Sequence, residues 1–264
     1  MLTTARSSEE LHWECQSKHT CECGQCSIDS QKFIMKVHGQ DEDYQPRNWQ
    51  EVVRFYSALS LTYENDRLPA LSGIASSLIS KPNYLAGLRR QSLVFDLNWM
   101  HLGTLGSDAK ESGVPSWSWP AIKSSIEFFP YEKLDPRLEI IEAECVLKTS
   151  NPFGEVSGGF VTLKGATFET CFAFCFENSQ CLEWLDTSEL EGLDFASDTV
   201  LLLYTTDDVY AYREKENSTL VLRKYSDEEA TYQRIGSAIC NVKRESVDAP
   251  WDDLPCETRV TKIV

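Results

Sequence analysis

The feature that most constrains this chain is a change of apolar period part-way along it. From Trp49 to Met100 the apolar residues recur at helical spacing, whereas from Arg137 onward they alternate with polar ones. A helix buries one stripe and a strand buries every second residue, so the two halves call for different layers. The expected fold class is α+β: a small helical bundle followed by a mainly antiparallel β barrel or sandwich. The segments are 1–46, an edge and linker; 47–125, the helical region; and 126–264, the β domain.

Three helices are predicted in the middle segment. Asn48 is a suitable N-cap for the first, whose buried face is Trp49, Val52, Val53 and Tyr56. Asn65 or Asp66 caps the second, and Pro69 fits its first turn, where no intrahelical N–H bond is lost. Its stripe is Leu68, Leu71, Ile74, Leu78 and Ile79, with Gly73 admitting a close neighbour and Pro82 ending it. A third helix, from about Ala86 to Met100, would bury Leu88, Leu93, Leu97 and Met100. In the PSWSWP string that follows, an extended backbone places Trp117 and Trp119 on one side and Ser116 and Ser118 on the other.

The β segment opens with RLEIIEAECVLK. NPFGEVSGG then supplies turn chemistry, in which Pro152, Gly154 and Gly158 provide fixed or positive φ. FVTLKGATFETCFAF reads as one or two strands, and a short helix is expected around Leu182 to Leu190. TVLLLY, VYAYRE, STLVLRKY, TYQRIGSAICNV and TRVTKIV follow as further strands. At the other end, residues 1–10 look frayed, and LHWEC reads as a half-buried strand in need of a partner.

Charge narrows the functional classes. A formal net charge of −16 repels phosphate backbones and anionic lipid, and no lysine or arginine stripe reverses it locally. No apolar run approaches the roughly 20 residues that span a bilayer, and MLTTARSSEE lacks the apolar core of a signal peptide. Nucleic-acid and membrane partners are not expected, and a cytoplasmic location is. The 10 cysteines of such a chain are expected to be reduced; on one strand, Cys171 and Cys175 would lie about 13 Å apart, too far for a bridge.

Chemistry-bearing motifs are sparse. Cys15, His19, Cys21, Cys23 and Cys26 offer soft ligands for tetrahedral zinc, but CECGQC lacks the second C-x-x-C pair of a standard ribbon, and a cysteine-rich loop is the commoner use of such a run. Neither phosphate-cradling glycine motifs nor H-E-x-x-H nor G-x-S-x-G occur. All four histidines precede the β segment, which argues against a Ser-His-Asp site within it. Asp207 with Asp208, and Asp252 with Asp253, read as solvated turns. Arg67, at a helix start, calls for a carboxylate partner such as Asp66 or Glu64, and Arg234, which shares a strand face with Tyr232, reads as structural. Phe172, Phe174, Tyr210 and Tyr212 could form a carbohydrate or small-ligand face. No cofactor is expected.

The ordered strings W-x-x-V-V-x-x-Y-S (Trp49 to Ser57), L-T, NDRLPALSGIA, YLAGL and PSWSW resemble the region following the signature domain of fungal heterokaryon-incompatibility (HET) proteins. LHWEC and CECG upstream, and NPFGEVSGG and YQRIG downstream, extend the resemblance over most of the chain. It gives Trp49, Tyr56, Asp66, Arg67, Pro69, Gly73, Trp117, Trp119, Gly154, Arg234 and Gly236 as the structural motif positions. It implies a non-enzymatic sensing or regulatory portion of a protein that acts in non-self recognition and programmed cell death. The partner would be a protein or an upstream HET effector domain, most of which this sequence lacks. A truncated product without independent function is the other reading. Arg89 and Ala58 depart from the family pattern, which bears on the local surface.

Overall fold

A computed structural model describes residues 3–6, 11–15, 18–21, 45–59, 61, 63, 66–102, 113–129, 137–171, 181–185, 194, 198–211, 214–226, 230–241 and 256–264. The chain divides into two compact units, Met1–Val52 and Val53–Val264.

In the first unit, β1 (Thr3–Arg6), β2 (Leu11–Cys15) and β3 (Lys18–Cys21) form an antiparallel sheet in that order. Thr4 pairs with Trp13, and Glu14 pairs with His19. The LHWEC strand is therefore paired on both sides rather than orphaned, and residues 3–6 form a strand rather than a frayed end. A tight hairpin satisfies its backbone groups locally. Helix α1 (Gln45–Ser57) begins three residues before Asn48, with Pro46 in the first turn, where its missing N–H costs nothing.

The second unit takes in the end of α1, where Val53 is buried and Tyr56 half-buried. Helix α2 (Arg67–Leu78) follows, preceded by Asp66, whose side chain makes no capping bond. Leu68, Leu71 and Ala75 form its buried stripe, and Ile79 is buried just beyond it. Two expectations fail here. Ile74 is 44% exposed, and a Cβ at Gly73 would meet open space, so no neighbour approaches there.

The third helix does not form, and with it goes the three-helix bundle. Tyr84–Leu85 (β4) and Leu88–Arg89 (β5) pair as a hairpin, closed by Ala86 and Gly87 at φ 45° and 92°. Positive φ at both central residues gives a primed turn that follows the twist of the strands. What remains is a 3₁₀ turn, Arg90–Ser92, running into one α-helical turn, α3 (Leu93–Asp96). β6 (Trp99–His101) then pairs with β7 (Ile126–Phe128). Leu88, Leu93 and Leu97 are buried as expected, by different elements, while Met100 is only half-buried.

The rest is β structure. Strand β8 (Glu139–Leu147) lies along β9 (Val156–Cys171), a single strand of 16 residues. β10 (Cys181–Leu185) stands where a short helix was expected, because its backbone is taken up by β13. TVLLLY and VYAY merge into one strand, β11 (Thr199–Ala211), with register shifts between Tyr204 and Val209. β12 (Glu214–Ser226), β13 (Thr231–Asn241) and β14 (Glu257–Ile263) complete the set.

The strands β9, β11, β12, β13 and β14 close on themselves as a five-stranded mixed barrel. Four junctions are antiparallel; the closing one, β13 with β14, is parallel, pairing Thr231 with Lys262 and Tyr232 with Ile263. The fold is thus α+β with few helices and a β-rich body. Residues 200–205 are buried at every position, so β11 has no solvent face there and reads as a continuous apolar run. One core cluster unites Leu185, Val200, Leu202, Tyr204, Val221, Ile235 and Ala238.

Candidate functional site

Five of the eleven motif positions, Tyr56, Arg67, Trp117, Trp119 and Arg234, are joined by bonds and ring contacts in the second unit. Trp117 and Trp119 are both fully buried, as expected, but Ser116 and Ser118 are buried too, because the string turns instead of running extended. Most of its polar groups bond to main chain, although the buried Trp117 Nε1 has no partner among the described residues. Trp119 Nε1 donates to Gly87 O at 3.1 Å, and Ser118 Oγ donates to Ala86 O at 2.5 Å, so YLAGL and PSWSW are bolted together at the hairpin tip. The approach is close: a Cβ on Gly87 would lie 2.5 Å from Trp119 Nε1. Beneath the hairpin, Asp96 is buried and accepts from the Arg89 N–H (2.9 Å) and from Ser92 Oγ (3.1 Å). Arg89 is itself only 5% exposed, so this departure from the HET pattern lies in the interior and not on the surface.

Arg67 is also buried. Its guanidinium donates to Ile122 O and, at 3.4 Å, to Ser57 O and Ser124 O, with its carbon 5.5 Å from the Trp119 ring centre. In these bonds its acceptors are carbonyl oxygens of the 122–124 loop and of Ser57 at the end of α1. Glu64 lies outside the described residues. Tyr56 Oη donates to Arg67 O at 2.8 Å and meets Trp119 edge-on at 6.1 Å.

A second centre forms around Arg234, which is 1% exposed. Its Nη2 donates to Trp99 O (2.5 Å) and Ser237 Oγ (2.8 Å), and its guanidinium carbon stacks 3.3 Å from the Trp99 ring centre. Trp99 Nε1 donates to Trp117 O at 3.0 Å. Ser116 Oγ accepts the Arg234 N–H at 3.0 Å and donates to Val264 O. YQRIG, PSWSW and the chain end are thereby joined. Opposite Val221, the β13 register shifts between Arg234 and Gly236, which places Gly236 beside Leu185 of β10. A third polar knot lies close by in sequence: Thr205 Oγ1 donates to Asn98 Oδ1 at 2.7 Å and lies 2.6 Å from Ser218 Oγ, all three residues being buried.

Beside Arg67 a cavity of about 250 Å³ opens to solvent, lined by Ser57, Ala58, Leu59, Leu61, Arg67, Lys123, Ser124 and Ser125. Ser57 Oγ is engaged, donating to Arg54 O and accepting the Ile126 N–H, both at 3.0 Å. Lys123, Ser124 and Ser125 are half-buried. Their side chains have no hydrogen-bond or ion-pair partner among the described residues.

Other expected positions are distributed differently. Pro69 sits in the first turn of α2, as read from sequence. Gly154 does not take positive φ; it closes a turn by donating to Asn151 O at 3.1 Å. Trp49 is buried. Of the zinc set, Cys15, His19 and Cys21 are placed by backbone only, and Cys23 and Cys26 lie outside the described residues. Asp252, Asp253, Phe172, Phe174 and Tyr212 lie outside them too, as do the side chains of Asp207, Asp208 and Tyr210. Among the described residues, no group of three or more His, Cys, Asp or Glu side chains could hold a metal ion. Cys145, Cys171 and Cys256 are free thiols, and burial pushes the Cys145 thiol up to about 12 despite the opposing charge of Arg90. His101 is buried with Nε2 2.5 Å from Leu185 O, so one histidine does reach the β body. No helix among the described residues is long and apolar enough to cross a membrane.

Comparison with family models, with curated proteins and with solved structures returns no match for this chain.

Sequence reasoning missed Trp99, Asn98, Asp96 and Lys123. The first three lie in the segment expected to be helical, where they read as incidental polar or amphipathic positions. For Lys123 the available signal was the K-S-S run two residues beyond the tryptophan string.

Proposed function

We propose that this chain is the region following the signature domain of a HET-type protein. It serves as a non-catalytic, cytoplasmic scaffold that senses or restrains an effector domain in fungal non-self recognition and programmed cell death. One observation carries this reading. The strings on which the resemblance rests are scattered over the sequence, and in the second unit five of them meet as one buried assembly. Gly87 O receives Trp119, Ile122 O receives Arg67, and Trp99 O receives Arg234. In these bonds the charged and polar groups of the motifs are spent on main-chain carbonyls, the arrangement of a framework that fixes loops in place.

The reading is tested by expressing an effector domain in fungal hyphae alone, fused to this chain, and fused to its Arg234→Met variant, with vital-dye staining as the readout. The proposal expects the fusion to alter effector-driven cell death and the variant to lose that control. Identical death in all three arms would overturn it. So would hydrolysis of a nicotinamide dinucleotide by the purified chain at enzymatic rates.

A further inference from the structure

The cavity beside Arg67 has a chemistry the framework does not need. Its wall from 123 to 125 reads Lys-Ser-Ser, and the Lys123 ammonium and the Ser124 and Ser125 hydroxyls are half-buried groups whose side chains make no bond among the described residues. Among the described residues no acidic side chain lines the cavity, although the chain as a whole carries a net charge of −16. Arg67, the first residue of helix α2, lies on the same wall. Leu59 and Leu61 supply an apolar side.

We infer that this cavity binds a small phosphate monoester, with Lys123, Ser124 and Ser125 on the phosphate and Leu59 and Leu61 against the carbon skeleton. The choice follows from donor type and size. A lysine ammonium is a compact point charge suited to a tetrahedral oxyanion, and serine hydroxyls rotate to donate to its remaining oxygens. At about 250 Å³ the cavity falls just below the roughly 300–1,000 Å³ of sites for drug-sized ligands, so it suits a compact molecule and leaves room beyond the phosphate itself. The inference stands apart from the proposed role in non-self recognition, since it uses none of the motif bonds.

The test is calorimetric titration of the full chain with glucose 6-phosphate, glycerol 3-phosphate, inorganic phosphate and glucose, repeated on Lys123→Met, Ser125→Ala and Lys148→Met. Lys148 lies in another loop, paired with Glu155, and its variant removes the same charge outside the cavity. At least one monoester is expected to bind saturably. Its affinity should fall tenfold or more in Lys123→Met and severalfold in Ser125→Ala, and stay unchanged in Lys148→Met. Because Lys123 is half-buried at the surface, the ligand-free variant should keep the wild-type Tm. Binding of neither monoester would overturn the inference, as would equal binding by Lys123→Met, glucose binding as tightly as its phosphate, or inorganic phosphate binding as tightly as either ester.

Discussion

Trp119 holds the hairpin at Gly87 by a single indole bond of 3.1 Å, and it does so only because position 87 has no side chain. Gly87→Ala would place a methyl 2.5 Å from the indole nitrogen, at a φ of 92° that an alanine adopts only under strain. Left-handed backbone costs about 1–2 kcal/mol and overpacking another 1–3 kcal/mol. Urea denaturation should therefore show a loss of about 3 kcal/mol.

Arg234→Lys should be nearly as damaging as Arg234→Met. The guanidinium carbon lies 3.3 Å from the Trp99 ring centre while Nη2 bonds Trp99 O and Ser237 Oγ, and a lysine ammonium does not reproduce this planar, delocalised contact. Truncating a buried, bonded charge of this kind costs about 3 kcal/mol or more. Equilibrium unfolding of both variants, with the near-ultraviolet signal of the tryptophans, measures the effect.

Thr205→Val keeps shape and removes one hydroxyl. Asn98 Oδ1 would then retain only its 3.4 Å contact with Ser218 Oγ, and Ser218 would lose its 2.6 Å neighbour. A loss of about 1–3 kcal/mol is expected from leaving these buried groups poorly satisfied. A double-mutant cycle with Ser218→Ala should be non-additive, because the two hydroxyls share one acceptor.

Alkaline pH should destabilise the fold through Cys145 and Tyr84. Burial raises both pKa values above their ordinary 9.0 and 10.0, the thiol to about 12. Between about pH 9 and 12 the unfolded chain releases these protons while the folded chain retains them, so stability is complete below pH 9 and falls as pH rises. Unfolding midpoints at pH 8 and 10.5 should differ in that direction, and Cys145→Ser should reduce the slope. Native Cys145 should also alkylate slowly at pH 8 compared with the same thiol in urea.

The β body was legible because each strand carries its own pattern: TVLLLY, STLVLRKY and TRVTKIV all lie in the barrel. What the pattern could not show was closure, since pairing β14 with both β9 and β13 depends on long-range register. The 86–100 segment misled for a physical reason. Leu88, Leu93 and Leu97 sit at spacings a helix would also use, and alanine and leucine favour helix locally, but two residues at positive φ turn the chain back. Ala-Gly is a weak turn signal beside Asn-Gly or Asp-Gly. Arg67 and Arg234 were legible as structural residues, although their partners were not. For Arg67 the sequence suggests an acid; the described bonds of the two arginines run to carbonyls 55 and 135 residues away, in the 122–124 loop and in β6.

If the motif strings form one cooperative framework, hydrogen exchange of the buried indoles reports it. The Nε1 protons of Trp99 and Trp119 donate to Trp117 O and Gly87 O inside the fully buried assembly. Both should exchange only on global unfolding, with an opening free energy equal to that from urea denaturation. Exchange of either proton through a lower-energy local opening would contradict a single cooperative framework.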